Sequence, residues 1–264
     1  MTTHDYDYYG LVASTWDLGR GDTANWPDRP FYLEIIRKYG EPVLDIGCGT
    51  GRLILDYLQQ GIDIDGMDNS PEMIAICRAK ADELKLSPNL YQQDMQTLDL
   101  PRKYRTIIGP SSVLQLITDR DTALETLRCF FAHLQPGGVF VTPFYFDWAE
   151  GEPMDSGWRL VLEKIRPEDG AIVRSWVHSW CEPARQWWHM EQRFEVELNG
   201  EIIAKEEHRQ SPEVRWYSQA QALQMYQEAG FTNIQLFRKF ESNAASADDR
   251  QFCMLGMKAE DPSA

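Results

Sequence analysis

Residues 43–53 read VLDIGCGTGRL, and this stretch decides the fold. Val43, Leu44 and Ile46 form an apolar run that carries one acid, Asp45, and then breaks into glycine at alternate positions, Gly47, Gly49 and Gly51. The apolar pattern resumes at helical spacing in Leu53, Ile54, Tyr57 and Leu58. That order describes a buried parallel strand, a turn built for close backbone approach, and the start of a helix. Glycine suits the turn because a Cβ would keep a ligand off the loop, and because some turn dihedrals suit no other residue. The helix start offers unpaired N–H groups and a partial positive charge, which favour an anionic ligand group. A dinucleotide fingerprint places glycine first, third and sixth in its run. Here the sixth residue is Arg52, so the spacing points away from that class.

Composition bounds the partners. The chain has 264 residues, enough for a full core in one large domain or one domain with a sizeable insertion. A formal charge of −15 argues against a polyanion partner, because nucleic-acid binders show a basic face. The cysteines (Cys48, Cys77, Cys129, Cys181, Cys253) are scattered and form no metal-ligand spacing, which predicts reduced thiols and no metal site. The N-terminal MTTHDYDYYG has neither a basic region nor an apolar core, so no secretory signal is expected. No apolar run approaches the length of a membrane span. These features predict a soluble cytoplasmic protein.

Outward from the glycine loop, strands and helices alternate. IDIDGM (62–67) reads as a strand ending at Asp68, and Ser70-Pro71 opens a helix with an N-cap and a first-turn proline. NLYQQ is a third strand ending at Asp94, and TIIGPSS a fourth. A helix from near Asp119 to about Leu134 precedes the turn LQPGG and a fifth strand, VFVTPFYF. The expected fold is α/β, a doubly wound, mostly parallel, seven-stranded Rossmann-like sheet. From Trp158 to Tyr217 the period becomes that of strands, with Asn199-Gly200 as a hairpin signal, so an antiparallel β insertion follows the fifth strand. Ser218 and Gln221 suggest a capping box before a last helix, and FTNIQLFRKF and QFCMLGMKA two final strands. The division expected is N-terminal cap helices over 1–40, a core over 41–150 and 218–260, and the insertion over 151–217.

The loop string resembles motif I of the class I S-adenosylmethionine-dependent methyltransferases. An acid 17 residues beyond Gly51, Asp68, stands at the tip of the neighbouring strand, where a carboxylate accepts both ribose hydroxyls. Asp45, buried beside the loop, suits the ammonium of a methionine tail or the loop's own amides. The resemblance further implies that Asp94 bonds the adenine amino group, that the Met95 N–H meets the ring, that Met73 lies on the adenine, and that Gly109 stands at the reactive centre. LQPGG is another hallmark shared with that family. The implied donor set is Tyr9, Asp45, Gly47, Cys48, Gly49, Gly51, Asp68, Asn69, Met73, Asp94, Met95 and Gly109, with S-adenosylhomocysteine as product. Within the family the chain looks like the small-molecule type, similar to sugar N-methyltransferases and glycine-sarcosine N-methyltransferases.

The acceptor end is less legible. YDYYGLVASTWDLGRGD resembles the cap helix of small-molecule methyltransferases, placing Tyr9 near the donor. Seven tryptophans fall between 148 and 216, and the strand from Ala171 to Cys181 carries Trp176, His178 and Trp180 on one face. These rings make either an aromatic cover over a small acceptor or glue that binds the insertion to the domain or to a second subunit. Tyr9, Tyr145 and His178 are the candidate catalytic groups, with His189 and Asp147 as further candidate bases. SSVLQL is similar to a stretch SSIGHL of sugar N-methyltransferases, with Gln115 where those have histidine; an amide cannot take a proton at neutral pH. The expected function is methyl transfer to an N or O atom of a small molecule. Methylation of protein or RNA, or a non-catalytic donor-binding subunit, are the alternatives. No nucleic acid and no membrane are expected as partners, and a homodimer through the insertion is.

Overall fold

A computed structural model describes residues 7–145 and 151–260. The chain divides into two compact units, Met1–Thr23 with Trp148–Arg215, and Ala24–Asp147 with Trp216–Ala264.

The larger unit is the α/β sheet. In chain order it runs α3 (Asp28–Tyr39), β1 (Val43–Ile46), α4 (Ile54–Gln59), β2 (Ile64–Asp68), α5 (Pro71–Glu83), β3 (Asn89–Gln92) and β4 (Tyr104–Ile108). There follow α6 (Arg120–His133), β5 (Leu134–Tyr145), α7 (Gln219–Glu228), β10 (Thr232–Arg238) and β11 (Gln251–Met257). The seven strands lie in the order β10-β11-β5-β4-β1-β2-β3. β1 pairs in parallel with both β2 and β4, while β11 runs antiparallel to β5 and β10. The chain order reverses at β1, so the crevice at the carboxyl ends of β1 and β4 is where a ligand belongs in such a sheet.

Alternate residues of the same strands feed two cores. Leu44, Ile46, Ile107, Phe140 and Met254 pack under α6 and α7. Val43, Ile64, Ile108, Val141 and Leu255 pack under α3, α4 and α5. Both faces are covered, which is why the strands read as near-continuous apolar runs. Helix starts follow the expected local chemistry: Ser70 accepts from Met73 N–H at 3.1 Å, Asp119 accepts from Thr122 N–H at 2.8 Å, and Ser218 and Gln221 form the capping box.

Three local expectations are corrected. Helix α3 does not join the cap elements of 1–40; Phe31, Tyr32, Ile35 and Ile36 bury it in the sheet unit. LQPGG is drawn into β5 rather than standing as a free turn, because the Gly137 N–H and Gly138 carbonyl both pair with the Lys258 backbone at 2.9 Å. The fourth strand stops at Ile108; Pro110–Leu116 turns tightly, with Ser111 and Ser112 at φ 54° and 59°.

The smaller unit is a four-stranded antiparallel sheet, β6 (Asp155–Ile165), β7 (Ile172–Glu182), β8 (Trp187–Leu198) and β9 (Glu201–Arg215), in the order β6-β7-β8-β9. Asn199 and Gly200 turn β8 into β9 with φ 53° and 85°, as a primed hairpin turn requires. The short helices α1 (Gly10–Ser14) and α2 (Trp16–Arg20) belong to this unit. Leu11 and Val12 pack with Leu162, Val173, Phe194 and Val196 on one face of the sheet. Trp158, Trp176, His178 and Trp180 lie on the other.

Candidate active site

The glycine loop is held from several sides. Gly47, Gly49 and Gly51 adopt φ 68°, 55° and 92°, a region closed to most side chains. A Cβ at Gly47 would stand 2.8 Å from Val113 Cγ1, and one at Gly51 2.7 Å from Cys77 Sγ. Gly49 N–H donates to Asp68 Oδ2 at 2.9 Å, and Lys80 Nζ donates to the Thr50 carbonyl at 3.1 Å. The Cys48 N–H donates to the Met67 carbonyl of β2, and the Cys48 carbonyl accepts from Gly51 N–H within the loop. The Cys48 thiol is buried with Cys77, which together with burial pushes the thiol pKa up.

Asp68 closes β2 as expected from the sequence, but it is not a solvated turn acid. It is 8% exposed and accepts from Ser70 N–H and Gly49 N–H at 2.9 Å each. Burial raises its pKa, and the N–H groups of Ser70, Gly49 and Asn69 pull it back. Three N–H groups occupy three of the roughly four lone-pair sites of a carboxylate, which leaves room for a further donor. Asn69 itself is exposed.

Asp45 is 1% exposed, and its Oδ1 meets no hydrogen-bond partner among the described residues. Burial pushes its pKa up to about 8, against the pull of Arg52. Arg52, the residue after the loop, was not singled out as a site residue by sequence. Its NH1 donates to Asp28 Oδ1 at 3.0 Å, its NH2 bonds Asp28 Oδ2, and its guanidinium lies 5.0 Å from the Trp26 ring centroid. The signal available in sequence was its position directly after the loop; Asp28, 24 residues earlier, carries none. Tyr32, also unanticipated, is fully buried with its hydroxyl unpartnered among the described residues.

The remaining donor candidates gather at the same strand ends. Asp94 is exposed and caps the turn after β3 by accepting from Gln96 N–H at 2.8 Å, with Met95 half-buried beside it. Met73 is 1% exposed in the first turn of α5. Gly109 follows β4; its N–H donates to Val141 O and its carbonyl accepts from Thr142 Oγ1 at 2.6 Å. Gln115 is buried and locked in both directions to Tyr145, its Nε2 donating to the carbonyl at 2.9 Å and its Oε1 accepting the N–H at 2.7 Å.

Two of the three catalytic candidates lie in the smaller unit, on opposite faces of its sheet. The Tyr9 ring packs 4.6 Å from that of His208, whose Nε2 is 3.0 Å from Glu206 Oε2. Glu206 also accepts the Leu11 N–H at 2.7 Å, and a Cβ at Gly10 would collide with its carboxylate. His208 pairs across from Gln192 and Val177, whereas His178 pairs with Glu191 and Arg209 and so points the other way. Its Nε2 is 2.9 Å from Asp155 Oδ1, between the rings of Trp158 and Trp180. Tyr9 and His178 therefore cannot serve one acceptor atom together. His189 stacks on Trp180 at 4.9 Å and bonds Ser211 Oγ, and burial holds its pKa below the ordinary value. Asp147 and Trp148 lie outside the described residues.

The larger unit fits a nucleoside joined to an amino acid. It presents a glycine loop with positive φ at Gly47, Gly49 and Gly51, a carboxylate fixed at the tip of β2, and a buried carboxylate oxygen beside the loop without a partner among the described residues. Among the described residues no group of side chains could hold a metal ion, and no helix is long and apolar enough to cross a membrane.

Comparison with known proteins agrees. The family model of a methyltransferase domain matches residues 43–138. A curated relative from Streptomyces venezuelae, dTDP-3-amino-3,4,6-trideoxy-alpha-D-glucopyranose N,N-dimethyltransferase, is 28% identical over 64% of this chain and 68% of its own length. The crystal structure of an S-adenosylmethionine-dependent methyltransferase from Clostridium acetobutylicum superposes with a TM-score of 0.73 at 20% identity, covering 95% of this chain and 98% of that one. A sugar N-methyltransferase from Streptoalloteichus gives 0.73 at 18% identity, covering 98% of each chain. With its glycine loop, its two strand-end acids and its seven-stranded sheet, the chain is a methyltransferase of the class I fold that uses S-adenosylmethionine as donor.

Proposed function

We propose that the protein transfers a methyl group from S-adenosylmethionine to an amine nitrogen of a small molecule. The donor supplies a sulfonium methyl already activated for displacement, so the protein has to align the nucleophile and exclude water. The observation that carries the choice of nitrogen is Gln115. Its amide is bound at both ends to Tyr145 and offers no proton acceptor. An amine that arrives neutral needs none, whereas a hydroxyl needs a base of matched pKa. Relatives named as amino-sugar N,N-dimethyltransferases support the same choice. In this reading Asp68 accepts the ribose hydroxyls, Asp45 the methionine ammonium and Asp94 the adenine amino group. The five free cysteines support a cytoplasmic setting.

A screen for S-adenosylhomocysteine release tests the proposal. Release with small amines, amino sugars first, is the expected result. Release confined to hydroxyl compounds, to protein or to RNA would overturn it, as would donor binding without turnover on any acceptor.

We infer also that the insertion sheet joins two copies of the chain. Trp158, Leu160, Ile165 and Ile202 are 39%, 52%, 67% and 43% exposed on the face away from α1 and α2, and this apolar row supports the reading. Sedimentation is expected to give a dimer for the parent chain and a monomer for Leu160→Asp/Ile165→Asp. A parent monomer, or an unchanged dimer in the variant, would refute it.

A further inference from the structure

A loop with glycine at 47, 49 and 51 has more backbone conformations to lose than any other stretch of similar length. It keeps one shape only where other elements tie it down. Three elements do so, each through an ionisable side chain. Asp68 of β2 accepts the Gly49 N–H, Lys80 of α5 donates to the Thr50 carbonyl, and Asp28 of α3 takes the guanidinium of Arg52. The third tie differs from the others because both of its members are charged and nearly buried. A buried ion pair is a poor source of net stability, since desolvating two charges cancels much of their attraction. Nor is the pair needed to join α3 to α4. Arg29 NH1 already meets Asp56 Oδ2 at 2.6 Å, the Tyr57 hydroxyl donates to the Arg29 carbonyl at 2.7 Å, and Phe31, Tyr32, Ile35 and Ile36 bury one face of α3.

What the pair supplies is direction. Arg52 NH1 donates to Asp28 Oδ1 at 3.0 Å and NH2 bonds Oδ2, while the Trp26 ring centroid lies 5.0 Å from the guanidinium carbon. Two parallel bonds fix the plane of the guanidinium as well as its distance, which a single point charge cannot do. We propose that Asp28 and Arg52 are positioning residues: they hold the far end of the glycine loop in its donor-binding shape before the donor arrives, and so contribute to donor affinity more than to net stability. The inference rests on the donor reading of the loop and adds the residues that preorganise it. Neither side chain is assigned a contact with the ligand; both act through the backbone of the loop. Without the pair the loop becomes ordered only on binding, and the affinity falls by the cost of that ordering.

Asp28→Leu/Arg52→Met in the whole protein separates positioning from stability, because apolar side chains of similar volume keep the packing and leave no isolated charge. This variant is expected to keep a cooperative urea transition and to bind S-adenosylhomocysteine about tenfold more weakly in calorimetry, the factor for ordering about one loop residue on binding. Arg52→Lys keeps the charge facing Asp28 but loses the two-pronged geometry, so it is expected to fold and also to bind several-fold more weakly. Amide exchange gives a readout independent of affinity. The Gly51 N–H, which donates to the Cys48 carbonyl at 3.0 Å, is expected to exchange faster in both ligand-free variants and to regain the parent's protection once S-adenosylhomocysteine saturates them. If the double variant does not fold, Arg52→Lys decides. Parent-like affinity in either folded variant, or weaker binding with unchanged Gly51 protection, overturns the positioning role and leaves the donor reading intact. Failure of the parent protein to bind S-adenosylhomocysteine overturns both.

Discussion

Asp68→Ala is expected to weaken S-adenosylhomocysteine binding about tenfold or more, a loss of roughly 1.5–3 kcal/mol for hydrogen bonds to a charged group. The carboxylate is placed for this by its own neighbours. Ser70 and Gly49 N–H groups fix both oxygens at 2.9 Å, so the group arrives at the ribose already oriented. Alanine removes the ribose acceptor and also frees the Gly49 amide, so the loop loses one of its ties. Calorimetry on a variant whose circular dichroism matches the parent checks the prediction. Affinity unchanged in a folded variant would sink the ribose assignment.

Arg52→Ala is expected to cost about 3–5 kcal/mol of folding stability, because it leaves Asp28 buried and uncompensated. The side chains of Arg52 and Asp28 are 11% and 7% exposed, so water cannot replace the lost partner. The pair joins α3 to the residue following the glycine loop, which makes the loop's anchorage depend on it. Replacing both members by apolar residues of similar volume, Asp28→Leu/Arg52→Met, is expected to lose far less than Arg52→Ala, since no isolated charge remains. Urea denaturation of the parent and both variants measures this. A single variant within about 1 kcal/mol of the parent would place the pair in the weak class of surface ion pairs instead.

Much of the site was legible because its chemistry is local. Alternating glycines, a serine three residues before an amide it caps, and an acid at a strand end are each encoded within a few residues. LQPGG misled for the opposite reason. Its residues are turn formers, yet the Lys258 backbone, far along the chain, pairs with Gly137 and Gly138 and draws them into β5. The end of the fourth strand misled similarly: Ser111 and Ser112 take up left-handed conformations that their own side chains do not favour. For the tryptophans of the insertion the sequence leaves open an aromatic cover over an acceptor or glue to the domain or to a second subunit. Strand pairing places Trp158, Trp176 and Trp180 on one face and the Tyr9–His208 contact on the other.

By itself the sequence determined the doubly wound sheet, the glycine loop, the acids at the tips of β1 and β2, and the antiparallel character of the insertion. Periodicity, capping and turn chemistry act between near neighbours, and the residues that carry them stand together in the chain. Only the tertiary structure decided that Arg52 is bound to Asp28, that Asp45 faces the loop with an unpartnered oxygen, and that Tyr9 and His178 are turned apart. Those facts depend on which distant segments meet and on how much water they exclude. Burial changes what a carboxyl group does without changing its name in the sequence.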